Sequence, residues 1–237
     1  MVYLAHKQLQ CQVLEGIDVC KIFWLPSAAL RISIDLQWDR RELLSNTTAT
    51  NFGQLPENLP VPVDDGACRH LPGMHVPSLW LQSTSGRSLN LAEITSPTTV
   101  LYCYPMTGTP GEPLPPGWDT IPGARGCTPE TCSFRDHYQE MSKLGAEVLG
   151  VSTQTTQEQR AMVERLHVPF DVLSDSDLAL TRALNLPTFE INEKVFIKRL
   201  TLILRQGQIA HVFYPVFPPN THAGEVLSWL SRNAVRS

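Results

Sequence analysis

Val100 to Tyr104 (VLYCY) is an unbroken apolar and aromatic run stopped by Pro105. A run that long without polar alternation suits a strand covered on both faces, so its sheet needs helices on both sides. The flanking sequence supplies them. Cys127 to Leu144 reads as a helix, with Thr131, Phe134, Tyr138 and Met141 on one stripe. Glu147 to Ser152 (EVLGVS) is a short buried strand. Thr155 and Glu158 have the spacing of a capping box, which opens a helix to about Leu166. Phe170 to Leu173 reads as a strand and Asp177 to Leu184 as a short helix. Arg199 to Leu204 and Ile209 to Tyr214 flank a Gln206-Gly207 turn and predict a hairpin. Thr221 to Ser231, carrying Val226, Leu227, Trp229 and Leu230, predicts an amphipathic helix. With Ser78 to Gln82 as an earlier strand, the series describes an α/β domain over 75–237: a mixed central sheet with helices on both faces.

Residues 1–74 read differently. Ile32 to Leu36 alternates weakly like one strand, and Asp39 to Gly73 is polar and turn-rich with no sustained period. An N-terminal extension and linker of low order is expected there. Across all 237 residues, 42% hydrophobic and 18% charged composition is that of a globular chain, and a net charge of −4 gives no nucleic-acid footprint. No stretch approaches the roughly 18 apolar residues of a spanning helix. The expectation is a cytoplasmic protein with no nucleic-acid or membrane partner, a monomer or weak homodimer. The 6 cysteines are irregularly spaced, with no Cys-x-x-Cys pair, which argues against a disulfide scaffold and a structural metal.

The chemistry-bearing stretch is Gly126 to Asp136 (GCTPETCSFRD), where a loop turns into a helix with Pro129 in its first turn. Free N–H groups and the positive end of the helix dipole favour a thiolate at Cys127 and predict a pKa below the usual thiol value. A thiolate attacks a peroxide oxygen and becomes a sulfenic acid. Cys132 lies five residues on. Helix geometry puts the two Cα atoms about 8.6 Å apart, beyond the roughly 7 Å a disulfide tolerates. A bond between them requires the first turns to unwind. Spacing alone leaves Cys132 open, as a reactive partner or a half-buried helix cysteine. His137, ten residues after Cys127 and about 15 Å along the axis, is too far for a Cys-His pair.

Three stretches in order, YPMTGTPG (Tyr104 to Gly111), GCTPETCSFRD and LGAEVLGVST (Leu144 to Thr153), resemble the atypical two-cysteine peroxiredoxins of the peroxiredoxin Q or bacterioferritin-comigratory-protein type. VLSDSD, KRLTLILRQGQIAHVF and VLSWL extend the resemblance to about 75–233. It implies a thioredoxin-like fold and thiol-dependent reduction of hydrogen peroxide and organic hydroperoxides. By position it makes Cys127 the peroxidatic cysteine and Cys132 the resolving one. Arg199 matches the arginine that stabilises the thiolate, and thioredoxin or a similar dithiol is the implied reductant. No metal, haem or flavin cofactor is implied.

The family's Pro-x-x-x-Thr-x-x-Cys loop is broken in this chain. Pro105 and Thr109 keep their spacing, but Glu112 stands where the cysteine belongs, and Cys127 follows only after the Pro/Gly-rich insertion 112–126. The active-site hydroxyl is assigned to Thr109, folded back across the insertion, or else to Thr120, with Pro105 and Thr120 as substrate-binding candidates. Trp118 covers the pocket or stands exposed in the loop. Cys103 reads as core, and Cys103 and Cys68 are the fallback resolving partners. The rival functions are thiol–disulfide exchange without peroxide chemistry and a non-catalytic binding or holdase module.

Overall fold

The structure, a computed structural model of the chain, describes residues 13–14, 17–18 and 52–234. The chain forms two units, Met1–Thr47 and Thr48–Ser237. In the first, β1 (Val13–Leu14) and β2 (Ile17–Asp18) pair antiparallel. The strand expected at Ile32 to Leu36 lies outside the described residues, as does the rest of the extension before Phe52.

In the second unit, all six residues of β5 (Thr98–Cys103) are buried, as its uniform apolar run requires. It pairs in parallel with β6 (Ala146–Ser152), which pairs in parallel with β7 (Val172–Ser174). On the other flank β5 pairs antiparallel with β10 (Leu200–Arg205). The β10–β11 hairpin, with β11 at Gln208–Phe213, turns at Gln206 and Gly207, both at positive φ. That backbone twist matches the strands it joins. β3 (Trp80–Ser83) and β4 (Ser88–Asn90) complete a seven-stranded sheet in the order β11-β10-β5-β6-β7-β3-β4.

Two hydrophobic clusters flank the sheet. Val100, Tyr102 and Tyr104 of β5 and its following loop point into one, against Phe134 and Met141 of α1 (Cys127–Lys143), Met162 of α2 (Thr156–Leu166) and Val226 and Leu230 of α4 (His222–Arg232). Leu101 and Cys103 point into the other, against Leu180 of α3 (Ala179–Ala183) and against Cys68, Leu71 and Val76. The capping box at Thr155 and Glu158 is formed. The sequence reading had no counterpart for β4, nor for the hairpin of β8 (Thr188–Ile191) and β9 (Lys194–Ile197).

Residues 52–74 correct the expectation of a poorly ordered extension. Leu71 is fully buried, and residues 73–76 hydrogen-bond to the β10–β11 hairpin through Gly73 N–H to the Ile209 carbonyl (2.8 Å) and Val76 N–H to the Gly207 carbonyl (2.8 Å). Asp65 accepts from Lys198 Nζ and from the Tyr214 hydroxyl, each at 2.9 Å. This arm has no helical or strand period because its apolar residues are used singly, each against a different part of the domain.

Candidate active site

Gly126 starts the site. Its φ of 105° is left-handed, and its carbonyl accepts from Glu130 N–H at 3.0 Å as the first helical bond of α1. A Cβ at this glycine would stand 2.4 Å from Pro219 Cγ and 2.8 Å from Leu55 Cδ2. Only glycine fits between arm and C-terminal loop while turning the chain into the helix. Cys127 is thereby the first helical residue, 3% exposed.

Three groups meet its sulfur. Arg199 Nη2 donates to Cys127 Sγ at 3.1 Å, and the Met106 backbone N–H also donates to it. The thiol itself donates to the Ala124 carbonyl at 3.6 Å. Met106 is aimed by its neighbour Thr107, whose N–H (2.9 Å) and hydroxyl (3.2 Å) both donate to Gln154 Oε1. Gln154 Nε2 returns a bond to the Thr107 carbonyl at 3.2 Å. The loop after β5 is thus pinned to the loop after β6.

Arg199 is buried and forked. One arm pairs with Glu130, and Nη2 also donates to the Arg125 carbonyl at 3.2 Å. Glu130 was not singled out from the sequence. The available signal was its i+3 position after Cys127, which puts both on one helix face. Burial pushes the Glu130 carboxyl up to about 7 against the pull of Arg199. Burial also pushes the Cys127 thiol above its usual value, opposed by Arg199 and reinforced by Glu130. The expectation of a depressed thiol is therefore corrected. The helix start gives the sulfur donors, but desolvation outweighs them while Glu130 shares the guanidinium.

The other sequence candidates divide clearly. Pro105 is buried beside Met106, next to the sulfur's donor. Thr109 is exposed and lines a separate cleft with Gln154 and Arg165, and Thr120 is exposed and donates to the Gly117 carbonyl of its own turn at 2.7 Å. Neither hydroxyl reaches Cys127. The insertion separates the Pro-x-x-x-Thr loop from the cysteine, and the Met106 N–H is the contact that this loop makes to the sulfur. Cys132 sits half-buried in the same helix as Cys127, both as free thiols. Burial raises its pKa, with Arg135 lowering it. His137 Nδ1 donates to the Ser133 carbonyl at 2.9 Å, away from the sulfur.

The insertion is not an open loop. Trp118 is 2% exposed and lies edge-on to Phe189 (5.6 Å) and Phe196 (5.1 Å) of the β8–β9 hairpin, with Leu114, Ile121 and Ala124 around it. This small third core holds the Ala124 and Arg125 carbonyls against Arg199. On its outer side Phe52 stacks under the Arg125 guanidinium at 5.7 Å and fills the space a Cβ on Gly108 would need.

A mixed sheet of this order, with a thiol at the start of the helix that follows its central strand, defines a thioredoxin-like thiol protein. The family model described as Redoxin matches residues 71–227, and the chain belongs to that family, as one of the peroxiredoxin Q and bacterioferritin-comigratory-protein type. It is 28% identical to the chloroplastic peroxiredoxin Q of Triticum aestivum over 152 residues, 64% of this chain and 62% of that one. It is 28% identical to that of Populus jackii over 159 residues, 67% of each. The chain thus spans about two thirds of the length of these curated relatives. Among solved structures, peroxidoxin BcpB of Mycobacterium tuberculosis superposes with a TM-score of 0.57 at 25% identity, covering 71% of this chain and 100% of that one. Xanthomonas campestris peroxiredoxin Q gives 0.55 at 26%, covering 75% and 98%.

Proposed function

We propose that the chain is a thiol-dependent peroxidase acting on hydrogen peroxide and organic hydroperoxides. The observation that carries the reading is the guanidinium of Arg199 donating to Cys127 Sγ at 3.1 Å with both residues buried. The thiolate attacks the terminal peroxide oxygen; the S–O bond forms, the O–O bond breaks, and water or an alcohol leaves after taking a proton. Cys127 is oxidised to a sulfenic acid. Arg199 donates to both the thiolate and the peroxide oxygens, a role its planar fork suits. Cys132 then attacks the sulfenic sulfur, water leaves, and a Cys127–Cys132 disulfide remains for a thioredoxin-type dithiol to reduce. Because both cysteines lie in α1, that step requires unwinding of its first turns. The chemistry calls on no metal, haem or flavin, and with both cysteines in one helix it needs one chain only, which supports a monomer or weak homodimer.

Cys127→Ser tests the reading. With saturating dithiol, peroxide consumption is expected to vanish, because a serine hydroxyl is not ionised near neutral pH. Activity above about a tenth of wild type, about 1.4 kcal/mol of barrier, would move the nucleophile elsewhere.

A further inference from the structure

Three glycines stand in the two loops that meet Cys127, and a side chain of the arm sits on each. A Cβ on Gly126, the residue that turns the chain into α1, would lie 2.8 Å from Leu55 Cδ2. One on Gly123 would lie 3.5 Å from Pro62 Cγ, and one on Gly108, two residues after the Met106 donor, would run into the Phe52 ring. The same ring lies under the Arg125 guanidinium at 5.7 Å. Residues 52–62 thus lie across the loop after β5, the end of the insertion and the start of α1 together. They precede residues 71–227, the stretch that the Redoxin model matches, so this covering lies outside the matched domain.

The arm is fastened further along. Asp65 accepts from Lys198 Nζ and the Tyr214 hydroxyl, and Gly73 and Val76 bond to the β10–β11 hairpin. Its end at 52–62 is placed by the packing of Phe52, Leu55 and Pro62, all only half-buried. Contacts of that kind open locally while a better-bonded neighbour stays docked. Cys132, by contrast, reaches Cys127 only when the first turns of α1 unwind. Unwinding displaces Gly126, which is wedged between Leu55 and Pro219. Pro219 is tied to the start of α4, its carbonyl accepting from His222 N–H at 3.4 Å, and Ala223 and Val226 of that helix are fully buried. Leu55 is the side that can yield.

We propose that Phe52 and Leu55 form a strap over the start of α1 that must lift before Cys132 can attack the Cys127 sulfenic acid. The inference rests on the peroxidase reading and adds to it what controls the resolving step. While the strap is down, the sulfenic acid persists and a second hydroperoxide can reach it. That peroxide transfers one oxygen to sulfur, leaves as water or an alcohol, and converts Cys127 to the sulfinic acid, which a dithiol does not reduce. The strap therefore sets how the sulfenic acid divides between disulfide and irreversible loss.

The test follows both steps in the full chain after mixing with hydrogen peroxide, by rapid quench and peptide mass mapping, with dimedone trapping the sulfenic acid. In the double variant Phe52→Ala/Leu55→Ala the disulfide is expected to form about fivefold faster or more. Loss of the Cys127 thiol should stay within about twofold of wild type, and the sulfinic fraction at high peroxide should fall. Val61→Ala, an exposed change in the same arm, is expected to alter neither step. A second measurement uses wild type alone: chymotrypsin should cleave after Phe52 faster in the disulfide form than in the reduced form, and it decides the matter if the double variant does not fold. Equal cleavage in the two forms, or a folded double variant that resolves at the wild-type rate, would overturn the strap while leaving the peroxidase intact. A wild-type chain whose Cys127 is not oxidised by peroxide would instead remove the peroxidase reading, and this one with it.

Discussion

Cys127 and Cys103 are buried to nearly the same degree, 3% and 0% exposed, on opposite faces of one sheet. Strand alternation separates them. Cys103 points with Leu101 into the cluster around α3, while Tyr102 and Tyr104 point toward Cys127 and α1. Burial pushes both thiols up. At Cys103 no cation among the described residues opposes it: Asp175, Cys68 and Glu130 all reinforce the rise. At Cys127, Arg199 and the Met106 N–H oppose it. Burial alone makes an inert thiol, and fixed donors at the same depth make one that can be ionised.

The largest expected effect comes from collapsing that difference at the arginine. Arg199→Lys keeps a charge but cannot span Glu130 and Cys127 as a fork, so kcat/KM for peroxide should fall about 10²–10³-fold. Stopped-flow peroxide consumption measures it, and a loss under tenfold would show that charge without the fork suffices. Next in size is Cys132→Ser. The first peroxide equivalent should be consumed at the wild-type rate, after which dithiol-supported turnover stalls and Cys127 overoxidises. In wild type, peptide mapping after peroxide should find Cys127 joined to Cys132, with faster amide exchange across residues 128–134 as the helix start unwinds. A disulfide from Cys127 to Cys103 is ruled out by the intervening sheet, and finding one would break the comparison between the faces.

A smaller change is expected at Glu130. Its folded-state pKa of about 7 lies above the ordinary carboxyl value of 4.5. Its contribution to stability is thus complete below 4.5 and is lost as pH rises through 7. Glu130→Gln should flatten that part of the stability–pH curve. It also removes a charge that raises the Cys127 thiol, so the acid limb of thiol alkylation should move to lower pH. Unchanged profiles in both measurements would mean that Glu130 does not share Arg199 with the sulfur. The smallest effect is at Cys103→Ala, which should leave peroxide turnover unaltered and cost about 1–2 kcal/mol in denaturant unfolding, through the space left in a packed core.

Much of the sheet was readable because its signals are local. The VLYCY run, the Thr155–Glu158 box and the Gln206-Gly207 turn each carry their conformation within a few residues, and β5, α2 and the β10–β11 hairpin follow. The β8–β9 hairpin was not readable in the same way. Phe189 and Phe196 owe their setting to Trp118 in the distant insertion, and the turn uses Asn192 and Glu193 at positive φ, without the glycine that marks such turns. The arm was missed for a similar reason: Leu55, Pro62 and Phe52 each touch a different distant element, which leaves no period along the chain.

The sequence by itself determined the order of the helices and of the sheet strands other than β4, and the seat of Cys127 at a helix start, because hydrophobic period and first-turn chemistry act over a few residues. Only the tertiary structure decided what surrounds the sulfur. Arg199 arrives from the position just before β10, Met106 N–H from the loop after β5, and the Ala124 carbonyl from an insertion held by its own small core. It also set Thr109 and Thr120 aside in favour of a backbone donor. The reason is physical: hydrogen bonds and charge–charge terms at a buried site depend on separations of a few ångströms, and spacing along the chain does not encode distance across fifteen inserted residues.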